Sequence, residues 1–143
     1  MDLTTATEWI ADRRNGVLIT LRRDGRAQSS DIVYAVEGSG DHAVVRISIT
    51  ADRAKARNLQ RDPRAVLHVT DPASWSYVSL DGTTELSPVA ATPDDATVDE
   101  LVALFEAVSG APHDDWNAYR AAMVADRRLV VRFRPASATG QTH

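Results

Sequence analysis

The spacing of turn signals between residues 16 and 86 constrains this chain most. Gly16-Val-Leu-Ile-Thr-Leu21 is rich in β-branched residues, and Arg23-Asp-Gly-Arg26 sets Asp-Gly ahead of a second run from Gln28 to Val36, the strongest short-range hairpin signature. Glu37-Gly-Ser-Gly-Asp41 supplies another turn. In the segment from Ala43 to Thr50, Val45, Ile47 and Ile49 alternate with Arg46 and Ser48, so one face is buried and the other meets something polar. After Asp62-Pro63-Arg64 comes the run Ala65 to Thr70, and after Asp71-Pro72 the run Trp75 to Leu80 meets Asp81-Gly82 before Thr83 to Leu86. The prediction is a meander of short antiparallel strands.

The remaining segments depart from period two. Thr4 or Thr5 caps a helix through Trp9 and Ile10 to Arg14, within residues 1–15, with Asn15-Gly16 as its left-handed stop. Ala54, Ala56 and Leu59 suit a short helix near 53–60, capped by Thr50 or Asp52. Thr92-Pro-Asp-Asp95 announces a longer one, with Thr92 as cap and Pro93 at the first helical position. Val98, Leu101, Val102, Phe105 and Val108 form its apolar stripe and Gly110 ends it. A second helix runs from Asp114-Asp115 to about Arg127, so that helices occupy 92–127. A last strand covers 129–134, and 135–143 reads as a polar tail. Strands at short spacing with helices inserted late predict a small barrel of the α+β class, mainly β, in one domain over 1–143.

A chain of 143 residues that is 43% hydrophobic can bury one core. Its net charge of -4 argues against a nucleic-acid partner, which calls for a broad basic face. Without cysteine there is no disulfide framework, thiolate nucleophile or cysteine metal site. No apolar run reaches the roughly 18 residues of a spanning helix, and no signal peptide opens the chain, so the expectation is a soluble, cytoplasmic protein with no membrane partner.

Against that acidic background, Ser48-Ile-Thr-Ala-Asp-Arg-Ala-Lys-Ala-Arg-Asn-Leu-Gln-Arg-Asp-Pro-Arg64 gathers Arg53, Lys55, Arg57, Arg61 and Arg64. A strand ending at Ser48-Ile49-Thr50, a tight turn and cations at a helix start would aim hydroxyls, backbone N–H groups and two positive charges at one point, which suits a phosphate. The same spacing also suits a solvated helix face. Gly38-Ser-Gly-Asp-His-Ala43 has the letters of a dinucleotide fingerprint, but a strand follows where that motif requires a helix, so it reads as a turn. His42, His68, His113 and His143 share no metal-ligand spacing, and no nucleophile elbow is present. No catalytic residue is therefore assigned, and any chemistry belongs to a bound cofactor. Trp75 and Tyr77, at i and i+2, share one strand face, either flanking a planar ring system or packing in a half-buried strand.

Five blocks, Arg23-Asp-Gly-Arg-Ala-Gln28, Ser48-Ile-Thr-Ala-Asp-Arg-Ala-Lys55, Lys55-Ala-Arg-Asn-Leu-Gln-Arg-Asp-Pro63, Trp75-Ser-Tyr77 and Asp114-Asp-Trp-Asn-Ala-Tyr-Arg-Ala-Ala-Met123, resemble the split-barrel superfamily related to pyridoxamine 5′-phosphate oxidase. More closely they resemble its actinobacterial branch of coenzyme F-420-dependent reductases. The resemblance implies a split β-barrel of about six antiparallel strands, of the FMN-binding type, with peripheral helices. It also implies a homodimer with cofactor sites in the clefts between subunits. Carried over by position, Arg53 and Lys55 grip the cofactor phosphate and Ser48 and Thr50 add contacts. Ile49 packs along the cofactor, Gln28 and Asp31 line the cleft near the ring, and Trp75 walls it. The chain lacks the basic extension that holds substrate phosphate in vitamin B6 oxidases. The expected function is hydride transfer from reduced F-420, an 8-hydroxy-5-deazaflavin, to a small organic acceptor, with Arg57 and Arg61 as an exit for the anionic cofactor tail. The alternatives are an FMN-dependent oxidoreductase of the same fold and a non-catalytic flavin, deazaflavin or haem binding protein.

Overall fold

A computed structural model of the protein describes residues 1–143. Helix α1 (Leu3–Ala11) is followed by β1 (Asn15–Leu21), β2 (Ala27–Val33), β3 (Ala35–Glu37) and β4 (Val44–Thr50). Helix α2 (Ala54–Arg61), β5 (Arg64–Asp71), β6 (Ser76–Leu86), α3 (Ala96–Ser109), α4 (Trp116–Ala125) and β7 (Arg128–Gln141) complete the chain. The seven strands form one antiparallel sheet in the order β2-β1-β5-β6-β7-β4-β3.

Burial alternates along the strands as a sheet with one dry face requires. Leu18, Ile32, Val45, Ile47, Leu67, Leu80 and Phe133, from six different strands, meet in a single core that α1 closes with Ala6 and Ile10. Strands from both ends of the order reach that core, so the sheet is curled into a half-barrel. Tyr34 separates β2 from β3: its ring is fully buried and its hydroxyl donates to the Ile10 carbonyl at 2.7 Å. A second cluster, Val98, Leu101, Met123, Val130 and Ala90, packs α3 and α4 on the opposite face of β7.

Several sequence expectations are corrected. The sheet has seven strands, in keeping with the expected barrel of about six, and the run expected to continue to Val36 is broken at Tyr34. The supposed polar tail is strand: β7 continues to Gln141, pairing Ser137, Thr139 and Gln141 with Asp81, Ser79 and Tyr77. Asp81-Gly82 is a bulge inside one continuous strand rather than a turn. Glycine is required there because a Cβ would run into the Arg134 carbonyl and come within 2.8 Å of the Phe133 ring. Asp95, not Thr92, caps α3, its carboxylate accepting from the N–H groups of Val98, Ala91 and Thr92 at 2.8 to 3.1 Å. Asp2 caps α1, which ends at Ala11, and Asn15 and Gly16 already belong to β1. Arg53, without a side-chain hydrogen bond, is the cap residue of α2.

Candidate functional site

Three elements converge beside α2. Strand β4 ends at Thr50, the chain turns through Ala51 and Asp52, and Arg53 N–H returns to the Thr50 carbonyl at 3.2 Å. Ser48 and Thr50 lie on the outward-facing parity of β4, opposite to the core residues Ile47 and Ile49. On β7, Arg128 pairs with Thr50. The result is a recess of about 480 Å³ lined by Ser48, Ile49, Thr50, Arg53, Lys55 and Arg128, with Asp31, Ile32 and Val33 of β2 and Asn15 of β1 on the facing side.

Six of the eight residues expected from the sequence therefore meet in one place: Asp31, Ser48, Ile49, Thr50, Arg53 and Lys55. Ile49 borders the recess while its side chain, 1% exposed, belongs to the core. Gln28 is not among them. It lies three residues from Asp31, so strand parity turns the two to opposite faces of β2. Gln28 accepts from the Thr20 hydroxyl at 3.3 Å, and that hydroxyl accepts from Asn58 Nδ2 at 3.1 Å. Trp75 also lies elsewhere, in the turn before β6 rather than on a strand face. It is 82% exposed, with φ at 57°, beside His68 and Tyr77 in a separate hollow of about 500 Å³. Arg57 and Arg61 do not line the recess: Arg57 donates to the Asp52 carbonyl at 2.8 Å and Arg61 to the Leu21 carbonyl at 2.6 Å.

Arg128 is the residue that sequence reasoning missed. It makes no ion pair, and neither does Arg53 or Lys55. Its Nη1 donates to Ser48 Oγ over a long 3.4 Å, and its Nε is buried without any partner. A buried guanidinium N–H left unpaired costs free energy unless something arrives to accept from it. Burial holds the Lys55 ammonium below its ordinary pKa, and the neighbouring charges of Arg53 and Arg128 push it the same way. The start of α2 adds N–H groups that no side chain caps. Three cations, one orphaned donor and an open helix N-terminus therefore face a single carboxylate, that of Asp31. The arrangement fits the phosphate of a flavin or deazaflavin, and it holds no acid, base and nucleophile set of its own.

Comparison with known proteins agrees with this architecture. The protein is similar to a solved F420 reductase, with 25% identity and a TM-score of 0.66 over 92% of this chain and 94% of that one. A conserved hypothetical protein of Mycobacterium tuberculosis superposes with a TM-score of 0.76 at 22% identity, covering 100% of this chain and 86% of that one. The haem storage protein HutZ of Vibrio cholerae shares the fold at 15% identity, with a TM-score of 0.67 over 97% and 94% of the two chains. No helix is long and apolar enough to cross a membrane. A half-barrel of seven antiparallel strands with four helices, matching the family described as pyridoxamine 5′-phosphate oxidase over residues 4–141, makes this chain a member of that family.

Proposed function

We propose that the protein is an F-420-dependent oxidoreductase that reduces a small organic acceptor, with Arg53, Lys55 and Arg128 as its phosphate clamp. The observation that carries this reading is the convergence of three unpaired cations on one recess, one of them with a buried Nε that has no acceptor. Similarity to an F420 reductase over nearly the full length of both chains supports the deazaflavin over other phosphate-bearing ligands.

The bound deazaflavin would supply a carbon that carries a hydride. The chain's own residues do the rest. Arg53 and Lys55 would neutralise the phosphate from the α2 side, and Arg128, whose Nε has no partner in the fold, would supply further guanidinium donors. Ser48 and Thr50 donate hydroxyl hydrogen bonds along β4. Asp31, Ile32 and Val33 form the opposite wall, which would limit how far a bound ligand could shift toward β2. Fixing both ends of a ligand converts binding free energy into orientation of its reactive part.

A second copy of the chain completes the site in this reading. Val17, Ile19 and Val66 share the outward face of the sheet, where they are only half-buried, and Val33, Trp75 and Tyr77 are exposed beside them. A subunit seated there would cover apolar surface that one chain leaves wet and would bring its Trp75 toward the neighbouring recess.

The test is a parallel titration of the purified protein with oxidised F-420 and with FMN at low and moderate salt, followed by cofactor fluorescence. Salt-sensitive binding that is tighter for F-420 is the expected result, and it leads to an acceptor screen with reduced cofactor. Preference for FMN would replace the deazaflavin with a flavin. Binding without turnover across the acceptor panel would make the protein a carrier.

A further inference from the structure

We propose that Arg127 is a positioning residue: its left-handed backbone aims Arg128 into the recess, and the α3–α4 pair supports it. The inference rests on the reading of the recess as an anion site. Arg127 is one of two non-glycine residues with positive φ, at 54°. A residue with a Cβ takes up that conformation when its surroundings impose it. Two hydrogen bonds impose it here. The Arg127 N–H donates to the Val124 carbonyl at 3.1 Å, ending α4, and the Arg127 carbonyl accepts from the Ala51 N–H at 2.9 Å. Ala51 sits between Thr50 and Arg53, so a single backbone bond ties the exit of α4 to the turn that leads into Arg53 and the start of α2, where Lys55 lies.

Arg128 follows directly, opposite Thr50 in the β4–β7 ladder, with its own carbonyl accepting from the Ala90 N–H at 2.8 Å. A right-handed φ at Arg127 would carry α4 on by another residue. The Ala51 bond would be lost, and Arg128 would leave the direction that buries its Nε and brings its Nη1 to Ser48.

The segment from Asp114 to Met123, which takes no part in the recess, acquires a role in this scheme. Phe105, His113, Trp116 and Tyr119 form a cluster in which every pair of rings is in contact, with centroids 5.1 to 5.9 Å apart. The Tyr119 hydroxyl donates to the Leu101 carbonyl at 3.0 Å, fastening α4 to α3. Burial raises the Tyr119 pKa, and the charge of Arg128 pulls the other way. Asp115 caps α4 by accepting from the Ala118 N–H at 3.0 Å. The helix is thus fixed at its start, along its side and, through Arg127, at its end.

The experiment compares Arg127→Gly with Arg127→Val. Glycine accepts the left-handed conformation freely, whereas a β-branched residue resists it. Two readouts are taken: the ¹⁵N resonance of the Arg128 Nε–H group without ligand, and the affinity for F-420, FMN and inorganic pyrophosphate across a salt series. For Arg127→Gly, the expected result is an unmoved Nε resonance and affinities within about twofold of the parent protein. For Arg127→Val, the expected result is a moved resonance, about tenfold weaker binding and a shallower salt dependence, with the far-UV spectrum retained. Should Arg127→Val fail to fold, Tyr119→Phe takes its place and is expected to move the same resonance. A folded Arg127→Val protein with parental affinity and resonance would overturn the proposal. So would equal weakening by glycine and valine, which would assign the effect to the Arg127 charge. If the parent protein binds none of the three ligands, the anion reading fails, while the ligand-free resonance still decides whether Arg127 aims Arg128.

Discussion

Four residues apart along the same pair of strands, β4 and β7 treat their arginines in opposite ways. Arg46 and Arg132 face each other in the ladder and share Glu100 of α3, with Arg46 Nε at 2.9 Å and Arg132 Nη2 at 2.6 Å from its two oxygens. Glu37 and Glu85 complete the set at 2.9 and 2.6 Å. At the other end of the ladder Arg128 faces Thr50, and neither it nor Arg53 or Lys55 has a carboxylate in ion-pair reach. Sheltered polar groups in a folded protein are ordinarily paired, so the paired end explains itself as structure, while at the unpaired end the buried Arg128 Nε lacks an acceptor. One set clamps a helix onto the sheet; the other is the clamp of the proposed anion site.

The largest way to break this comparison is to delete the unpaired charges. Arg53→Ala with Lys55→Ala is expected to weaken cofactor binding a hundredfold or more, since charged hydrogen bonds contribute about 1.5–3 kcal/mol each. Stability to urea should not fall. A folded double mutant that keeps parental affinity in a fluorescence titration would remove the clamp.

The paired end should respond the other way. Glu100→Ala strands two half-buried guanidinium groups and is expected to cost about 2–3 kcal/mol in urea unfolding, while cofactor affinity stays put. The hydrogen bond from Arg132, then that from Arg46, holds the Glu100 carboxyl below its ordinary pKa. Because the folded value lies below the unfolded one, this contribution is fully present above about pH 4.3, the ordinary value for an unfolded glutamate, and fades as pH drops toward the folded value. Glu100→Gln should flatten that acid limb of the stability profile.

A smaller effect sharpens the contrast. Arg128→Gln is expected to weaken anion binding about tenfold while changing the stability of the ligand-free protein by no more than about 0.5 kcal/mol. A stability loss as large as that of Glu100→Ala would place Arg128 among the structural arginines instead.

The smallest effect lies in the repulsion itself. Lys55 has its pKa lowered in the fold, so the folded state releases this proton before the unfolded chain does. Between the folded and unfolded values, stability of the ligand-free protein should therefore rise with pH, and Lys55→Met should abolish that rise. Added salt should stabilise the ligand-free protein slightly by screening the three cations.

What the sequence discloses follows from how local each feature is. Asp24-Gly25 and Asp81-Gly82 are the same dipeptide between similar runs, yet only the first makes a turn. Gly25, with φ at 86°, has open space around it, whereas Gly82 lies against the Phe133 ring, contributed by a residue some fifty positions away. No local pattern carries that difference. The extension of β7 is hidden for a related reason. Ser137, Thr139 and Gln141 alternate with Ala138 and Gly140, a period-two pattern whose inward residues are too small to register as apolar. In the recess, Ser48 to Lys55 was legible because it is contiguous. Arg128, 80 residues from the serine hydroxyl it contacts, becomes visible only once the ladder is drawn. Gln28 and Asp31 show the cost of ignoring parity: a spacing of three cannot put two strand residues on one face.

The place of β7 in the sheet has a consequence for how the protein is made. It lies between β6 and β4, so no other strand hydrogen-bonds the β2-β1-β5-β6 half to β4 and β3. As the chain leaves the ribosome, Arg53 and Lys55 emerge more than seventy residues before Arg128, just after β4, a strand whose only earlier neighbour is the short β3. The proposed clamp cannot be complete until residues 128–141 have paired between the two halves, a non-local pairing of the kind that makes folding slow. On the proposed reading, loading the clamp is a late event in biosynthesis, and scarce cofactor would leave newly made protein folded with three like charges still facing one another.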